Sequence, residues 1–555
     1  MKLGKAKYDL WWIVLLSVLL FFPFLGQVHL FDWDEINFAE CAREMIETGN
    51  YLQVQKHFQP FYEKPPLFIW MQAAAMQVFG VGEYAARFPN ALAGMASLIV
   101  LFLIGRELFD RRFGWVWVLS YLGSILPHLY FKSGIIDPWF NLFIFTGFYL
   151  FLKAFWKKRH FEAPAGTLSA LFYLSMAGLT VGLGVLTKGP VALLLPGLAM
   201  IVYWILERFR WYVPLYYFVL FAALTLVLPG LWFGLEWLQR GPEFIQEFLR
   251  YQVRLLSTED AGHGGFPGYH FVVLLLGCFP MSVFAIPLFW KKGPVNATQA
   301  NMVRWMRILF WVVLITFSVV QSKIIHYSSL AYFPLSFLGA LGIYQIIGQQ
   351  RNYNGWLRFG VAFLAVFWSA LTIAVAWAGR HLDRIKPMFA KDPFATANLE
   401  AEVHWSGWEV LPGLVLILFA AWHLWTVRKQ LTPRAFLILL IGSVSYIQLF
   451  LLFFIPRIEG YSQRSMIEFC ESLQGESCYI QTIGHKSYAT HFYTRKKPGG
   501  NSKRFEIGWL VSGAIDRPTY LITKTHKAER LRDKGDIEDL YEKNGFAFFI
   551  RLPKE

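Results

Sequence analysis

The sequence predicts an all-α polytopic membrane protein with interfacial helices in its first outer loop and a small α/β domain at its C-terminal end. Three observations point there. Of 555 residues, 56% are hydrophobic and only 16% are charged, whereas a soluble domain is about one quarter charged. The apolar residues fall in long runs with short polar joints, and many of the runs approach the roughly 20 residues that cross a bilayer core. From Arg457 onward the chain changes to short alternating pieces. The net charge of +15 raises nucleic acid as a partner, but the basic residues sit at the ends of apolar runs, where they anchor helices in a membrane. No nucleic acid is therefore expected. Four cysteines without a CxxC spacing exclude a zinc finger or a dense disulfide scaffold.

Thirteen spans are read at residues 10–30, 84–104, 113–131, 136–155, 168–186, 190–206, 213–235, 271–289, 308–320, 327–346, 359–377, 410–425 and 435–455. No small-residue cleavage site follows the first, so it reads as a retained anchor. The apolar run 66–79 follows two prolines and is too short to cross, which suits a helix at the interface. With Met1 in the cytoplasm, the inside joints hold 21 basic residues and the three short outside joints only Lys132, Lys188 and Lys323, in keeping with the positive-inside rule. Counting 66–79 as a span would invert every later joint. The domains expected are a membrane unit over 1–456, with outer loops at 31–83 and 236–269, and an outer α/β domain over 457–555. In the latter, strand-like pieces at 478–483, 519–523 and 546–550 alternate with helix-like pieces at 463–473 and 526–534. Cys470 and Cys478 lie on the oxidising side, where a disulfide is permitted.

The ionisable groups of the outer face come in six pieces. The first loop opens Asp32-Trp33-Asp34-Glu35, and 35–48 has helical spacing. Phe38, Ala42, Met45 and Ile46 form one stripe and Glu40, Arg43, Glu44 and Glu47 another, so an amphipathic helix along the membrane surface is expected. Asp34 and Glu35 are placed to cap its N-terminus or to do chemistry. Next, Tyr62-Glu63-Lys64-Pro65-Pro66 pins a lysine before the interfacial helix, where it meets a lipid headgroup or simply snorkels. Asp137-Pro138 opens the fourth span as a carboxylate or a helix start. Lys188 sits in the tight turn Thr187-Lys188-Gly189-Pro190, His263 in the glycine-rich Asp260–Gly265 stretch, and Lys323 and Tyr327 at the head of the tenth span. Charge at a membrane edge is costly unless it is paired or used. Cations suit a phosphate, and carboxylates suit proton transfer.

These motifs together resemble the GT-C glycosyltransferases that use polyprenyl-phosphate sugars, in particular the lipid A aminoarabinose transferase and protein O-mannosyltransferase group, over about the first 350 residues. The resemblance implies the GT-C fold and inverting transfer from an undecaprenyl phosphate donor to a lipid A, glycan or protein acceptor. It places that reaction at the periplasmic face of a bacterial inner membrane, with the N-terminus cytoplasmic and the C-terminal domain periplasmic. By the same resemblance Asp34 and Asp137 are the catalytic carboxylates, and Lys64, Lys188, Lys323 and Tyr327 handle the donor phosphate. Glu63 and His263 would share a divalent metal ion (Zn, Mg or Mn), which donor phosphate or water would complete. Two departures stand out: Asn37 and Gly264-Gly265 replace arginine-bearing positions of the aminoarabinose transferases. The competing readings are a flippase for lipid-linked sugars, which would carry polar groups at mid-bilayer, and a structural membrane subunit, which leaves the one-sided cluster unexplained.

Overall fold

The computed structural model describes residues 2–161, 169–257, 264–290 and 296–554. It is a helical membrane protein with a small C-terminal sheet. Nine helices among the described residues are long and apolar enough to cross a bilayer, from Glu83–Leu108 to Pro433–Ser462. The eighth expected span is a sharply bent helix pair: Tyr269–Gly277 and Met281–Phe289 meet at 107°, where a single straight helix was expected. Pro280 has no amide hydrogen to continue the ladder and its ring clashes with the preceding turn. At Gly277 a Cβ would lie 2.2 Å from the Leu126 side chain, so the bend rests on a close approach that only glycine allows. The other three expected spans are shorter helices. The first ends at Phe21, ahead of Pro23; the third divides into Arg111–Leu122 and Ile125–Leu129; the sixth is Val191–Leu206.

The Leu67–Phe79 helix has 13 residues, or about 20 Å at 1.5 Å per residue, against a core of about 30 Å. It packs on the first-loop helix Asp34–Thr48 and on Glu83–Leu108. That first-loop helix differs from expectation. Most of its charged stripe does not face water: Glu40, Arg43 and Glu44 are buried along with the apolar side, and Glu47 is exposed. Arg43 donates twice to Glu40, at 2.7 and 2.8 Å. Glu44 accepts from the Phe58 amide at 2.8 Å, and burial followed by the neighbouring Glu40 pushes its carboxyl well above the usual range. One ion pair and one neutral acid thus leave little uncompensated charge in the helix. The covering layer is the C-terminal domain.

That domain holds a four-stranded sheet of β3 (Tyr479–Ile483), β4 (Thr519–Lys524), β5 (Glu538–Lys543) and β6 (Phe546–Arg551), in the order β3-β4-β6-β5. The hairpin strands β1 (Gln55–Lys56) and β2 (Gln59–Pro60) belong to the first loop. β3 runs parallel to β4 and the other two pairings are antiparallel. Period-two alternation splits the core. Leu521, Ala547 and Phe549 point to one layer with Leu510 and Leu531. Ile522, Phe546 and Phe548 join Phe469 and Cys470 in a cluster continuous with Ala39, Met45, Val54 and Met76 of the first loop and its helices. Strand β5 was not anticipated, since Glu-Asp-Leu-Tyr-Glu-Lys lacks an apolar face; it is exposed throughout, a charged edge that resists further pairing. Cys470 and Cys478 are free thiols, and Cys478 Sγ accepts from Lys496 Nζ at 3.0 Å.

Phe548 is fully buried in the shared cluster, 4.5 Å from the Phe469 ring. Phe548→Ala is expected to cost about 3 kcal/mol, read as a lower thermal midpoint and faster proteolysis of the C-terminal domain in the purified protein.

Candidate active site

A cavity of about 520 Å³ is lined by residues from seven separate stretches of chain. Asp34 and Asp137 each occupy the first residue of a helix. Neither first-loop carboxylate caps its own helix: Trp33 is the N-cap, with no side-chain bond to the helix. Glu35 turns inward to Arg87 at 2.7 Å and accepts from the amides of Phe31, at 2.9 Å, and Gly134. Burial opposes ionisation of Glu35, but Arg87 and the two amides outweigh it and hold the carboxyl below its ordinary value. Arg87 also donates to the carbonyls of Leu25, Val28 and His29. One ion pair therefore fixes the entry to the first-loop helix, next to Asp34, and the 133–135 segment leading to Asp137.

The two carboxylates meet through His326, whose Nε2 lies 3.4 Å from Asp34 Oδ2 and 3.8 Å from Asp137 Oδ2. Their environments differ. The Asp137 side chain is 4% exposed and takes Lys188 Nζ at 2.6 Å; the Asp34 side chain is 43% exposed. Asp34 is the more accessible carboxylate, and Asp137 is a buried anchor paired with Lys188. Lys188 reaches it from the end of Ala170–Lys188, where Gly189 turns with φ +112°. Glu63, Lys64, Tyr251, Arg254 and Tyr327 also line the cavity. Lys64 Nζ is 3.3 Å from the Tyr251 hydroxyl, and Lys64 and Arg254 both approach the Tyr251 ring, at 4.8 and 5.2 Å from its centroid.

Of the expected site residues, Asp34, Glu63, Lys64, Asp137, Lys188 and Tyr327 line this one cavity. Lys323 does not. Its Nζ donates to the carbonyls of Phe317 (3.2 Å), Ser318 (2.7 Å) and Val320, at the end of the Ala297–Val319 helix, where unpaired carbonyls attract a cation. His263 lies outside the described residues. Among the described residues no three His, Cys, Asp or Glu side chains gather to hold a metal. Asp34 and Asp137 already face His326 and Lys188, and among the described residues Glu63 has no pair of companion donors beside it. Sequence reasoning missed His326 and Arg254 as site residues. Arg254, ten residues before Gly264, supplies a cation from the loop in which the sequence comparison found one lost. It also missed Lys486 and Tyr488, which the C-terminal domain inserts into the cavity wall. Lys486 Nζ sits 5.0 Å from the Trp33 ring, and its carbonyl accepts from Trp33 Nε1 at 2.9 Å.

The fold and cavity define a polytopic membrane protein with a site lined by cations and carboxylates on the side of the sheet domain. Comparisons with known proteins give the relationship. Residues 63–233 match the family described as dolichyl-phosphate-mannose-protein mannosyltransferase. The chain is 28% identical over 382 residues to an undecaprenyl phosphate-alpha-4-amino-4-deoxy-L-arabinose arabinosyl transferase of Shewanella sediminis, covering 67% of this chain and 66% of that one. It is 26% identical over 333 residues to the transferase of the same name from Edwardsiella ictaluri, covering 59% and 58%. The match thus spans slightly under two thirds of the length of these curated relatives. The crystal structure of ArnT from Cupriavidus metallidurans bound to undecaprenyl phosphate superposes with a TM-score of 0.77 at 18% identity, covering 98% of both chains, and shares the fold. The chain resembles the polyprenyl-phosphate-sugar glycosyltransferases in fold and sequence.

Asp32, also in the cavity wall, accepts from the Tyr488 amide at 3.2 Å. Burial pushes its carboxyl up to about 6, against the pull of Ser487, the Tyr488 amide and Lys486. An acid whose folded value is raised binds more protons folded than unfolded, so stability falls as pH rises from about 4 to about 6. Asp32→Asn keeps the hydrogen bond and removes the titration. Its thermal midpoint is expected to exceed that of the natural protein at pH 7 and to match it at pH 4.

Proposed function

We propose that this protein is an inverting glycosyltransferase that moves a sugar from undecaprenyl phosphate to a lipid A, glycan or protein acceptor at the periplasmic face of the bacterial inner membrane. The observation that carries the reading is the convergence of two carboxylates with Lys64, Lys188, Arg254 and Tyr327 in one cavity. The positive-inside charge bias supports the orientation, with Met1 cytoplasmic and the sheet domain outside.

The reaction is a single displacement. The acceptor oxygen attacks the anomeric carbon, and the bond from that carbon to the phosphate oxygen breaks. Undecaprenyl phosphate leaves with the electron pair, so negative charge grows on its phosphate oxygens. Lys64 and Arg254, steadied by the Tyr251 ring, stabilise that charge where it develops. Tyr327 lines the same cavity and lies under Lys188, whose Nζ is 5.3 Å from the Tyr327 ring centroid. Asp34 takes the proton of an acceptor hydroxyl, and His326 holds it against Asp137. An acceptor that is already a phosphate anion needs no base, and Asp34 then orients it. The flippase reading finds less support, since the relatives above are named as transferases and the ionisable groups collect in one cavity.

Asp34→Asn is expected to fold normally and to slow transfer by about a thousandfold, the scale of a lost general base, in an assay of undecaprenyl phosphate release by reconstituted protein. Lys64→Ala is expected to raise the KM for donor at least tenfold. Normal turnover by Asp34→Asn would remove the base from that residue. Translocation of the donor without release of undecaprenyl phosphate would replace the transferase by the flippase.

A further inference from the structure

The C-terminal domain contains a second cavity, of about 510 Å³, that the transfer chemistry does not use. Arg495, Lys496, Lys497, Arg504 and Arg517 line it, and Glu476 is the single carboxylate among its lining residues. The bias is local, because acidic residues are nearly as numerous as basic ones in the chain after Arg457. Gathering like charges in one cavity is unfavourable without a counter-charge.

Most of these cations are held by neutral acceptors. Lys496 Nζ donates to the Glu476 carbonyl at 3.3 Å and to Cys478 Sγ at 3.0 Å. Arg504 donates to the Gly499 carbonyl and lies 4.7 Å from the Phe505 ring centroid. Arg495 Nη2 donates to the Val81 carbonyl at 2.9 Å, while its buried Nη1 has no hydrogen-bond partner among the described residues. Carbonyls and rings orient a guanidinium or ammonium without cancelling its charge. Arg517 alone of the five faces a carboxylate, Asp516 at 3.8 Å. The Gly499-Gly500 turn, with φ of +109° and +93°, brings bare backbone to the same wall. Forked donors in a pre-set frame fit the oxygens of a phosphate group.

A chain of aromatic rings joins the pocket to the cavity that holds Asp34. His491 and Phe58 face the pocket, while Tyr488 and Glu63 face the catalytic cavity. His57 stands between them, stacked on His491 with ring centroids 3.9 Å apart and 6.3 Å from the Tyr488 ring.

We infer that this pocket is a second anion site, which binds a phosphate ester on a saccharide and holds the acceptor's headgroup while its reacting oxygen enters the catalytic cavity. The acceptor role rests on the transferase reading; the binding itself does not. Isothermal titration of the full-length protein in detergent micelles tests it, with glucosamine 1-phosphate, glucosamine and inorganic phosphate as probes. Glucosamine 1-phosphate is expected to bind, glucosamine not, and inorganic phosphate at least tenfold more weakly. The double variant Lys497→Ala/Arg504→Ala, with an unchanged thermal midpoint, is expected to lose at least tenfold in affinity, while Lys64→Ala keeps the natural affinity. Equal binding of inorganic phosphate would make the pocket a free-phosphate site and overturn the saccharide assignment. Unchanged affinity in the double variant, or loss of binding in Lys64→Ala, would overturn the site itself. Binding that persists in a protein found to lack transferase activity would separate the failure of the transferase reading from that of the pocket.

Discussion

The buried pair between Glu35 and Arg87 is the constraint on which the outer half of the molecule depends. It joins the loop after the first helix, the start of the first-loop helix and the segment before Asp137 through one carboxylate and one guanidinium. An arginine at a membrane edge is costly unless satisfied, and here it finds three carbonyls and a carboxylate. Removing either partner would strand a buried charge, a loss on the order of 3–5 kcal/mol. The neighbouring Asp34 inherits its position from this arrangement, while staying open to the cavity.

The site divides its charges by task. Lys188 and Asp137 pair closely, and His326 Nε2 lies 3.8 Å from Asp137 and 3.4 Å from Asp34. Lys64 and Arg254 approach an aromatic face, an arrangement that steadies a cation while leaving its charge available to a ligand. A closely paired ion contributes orientation, and a cation resting on a ring contributes field. Both kinds would serve the proposed transfer, in which a leaving phosphate gathers charge near a carboxylate.

Much of the architecture was legible because bilayer thickness imposes a length on apolar runs. Local packing was less so. The bend at Pro280 lay inside a run that reads as one span, and the charged stripe of the first-loop helix suggested a wet face because the sequence does not announce what covers it. Glu35 resembled a cap, while its partner Arg87 hid at the head of an apolar helix. Lys323 was misread because helix-end carbonyls three to six residues back in the chain outcompete a more distant cavity. Strand β5 is an edge, and edges are polar by necessity. Six of the expected site residues nonetheless line one cavity, since ionisable side chains are scarce enough in a membrane protein to betray where they are used.

Lys486 and Tyr488 have an implication for biogenesis. They form part of the wall around Asp34 and Glu63 but are separated from them by the whole helical bundle in sequence. During synthesis, every membrane helix precedes them out of the ribosome. The cavity is thus incomplete until the segment carrying Lys486 and Tyr488 has docked against the helical bundle, and a chain without that segment has an open wall beside Asp34 and Glu63.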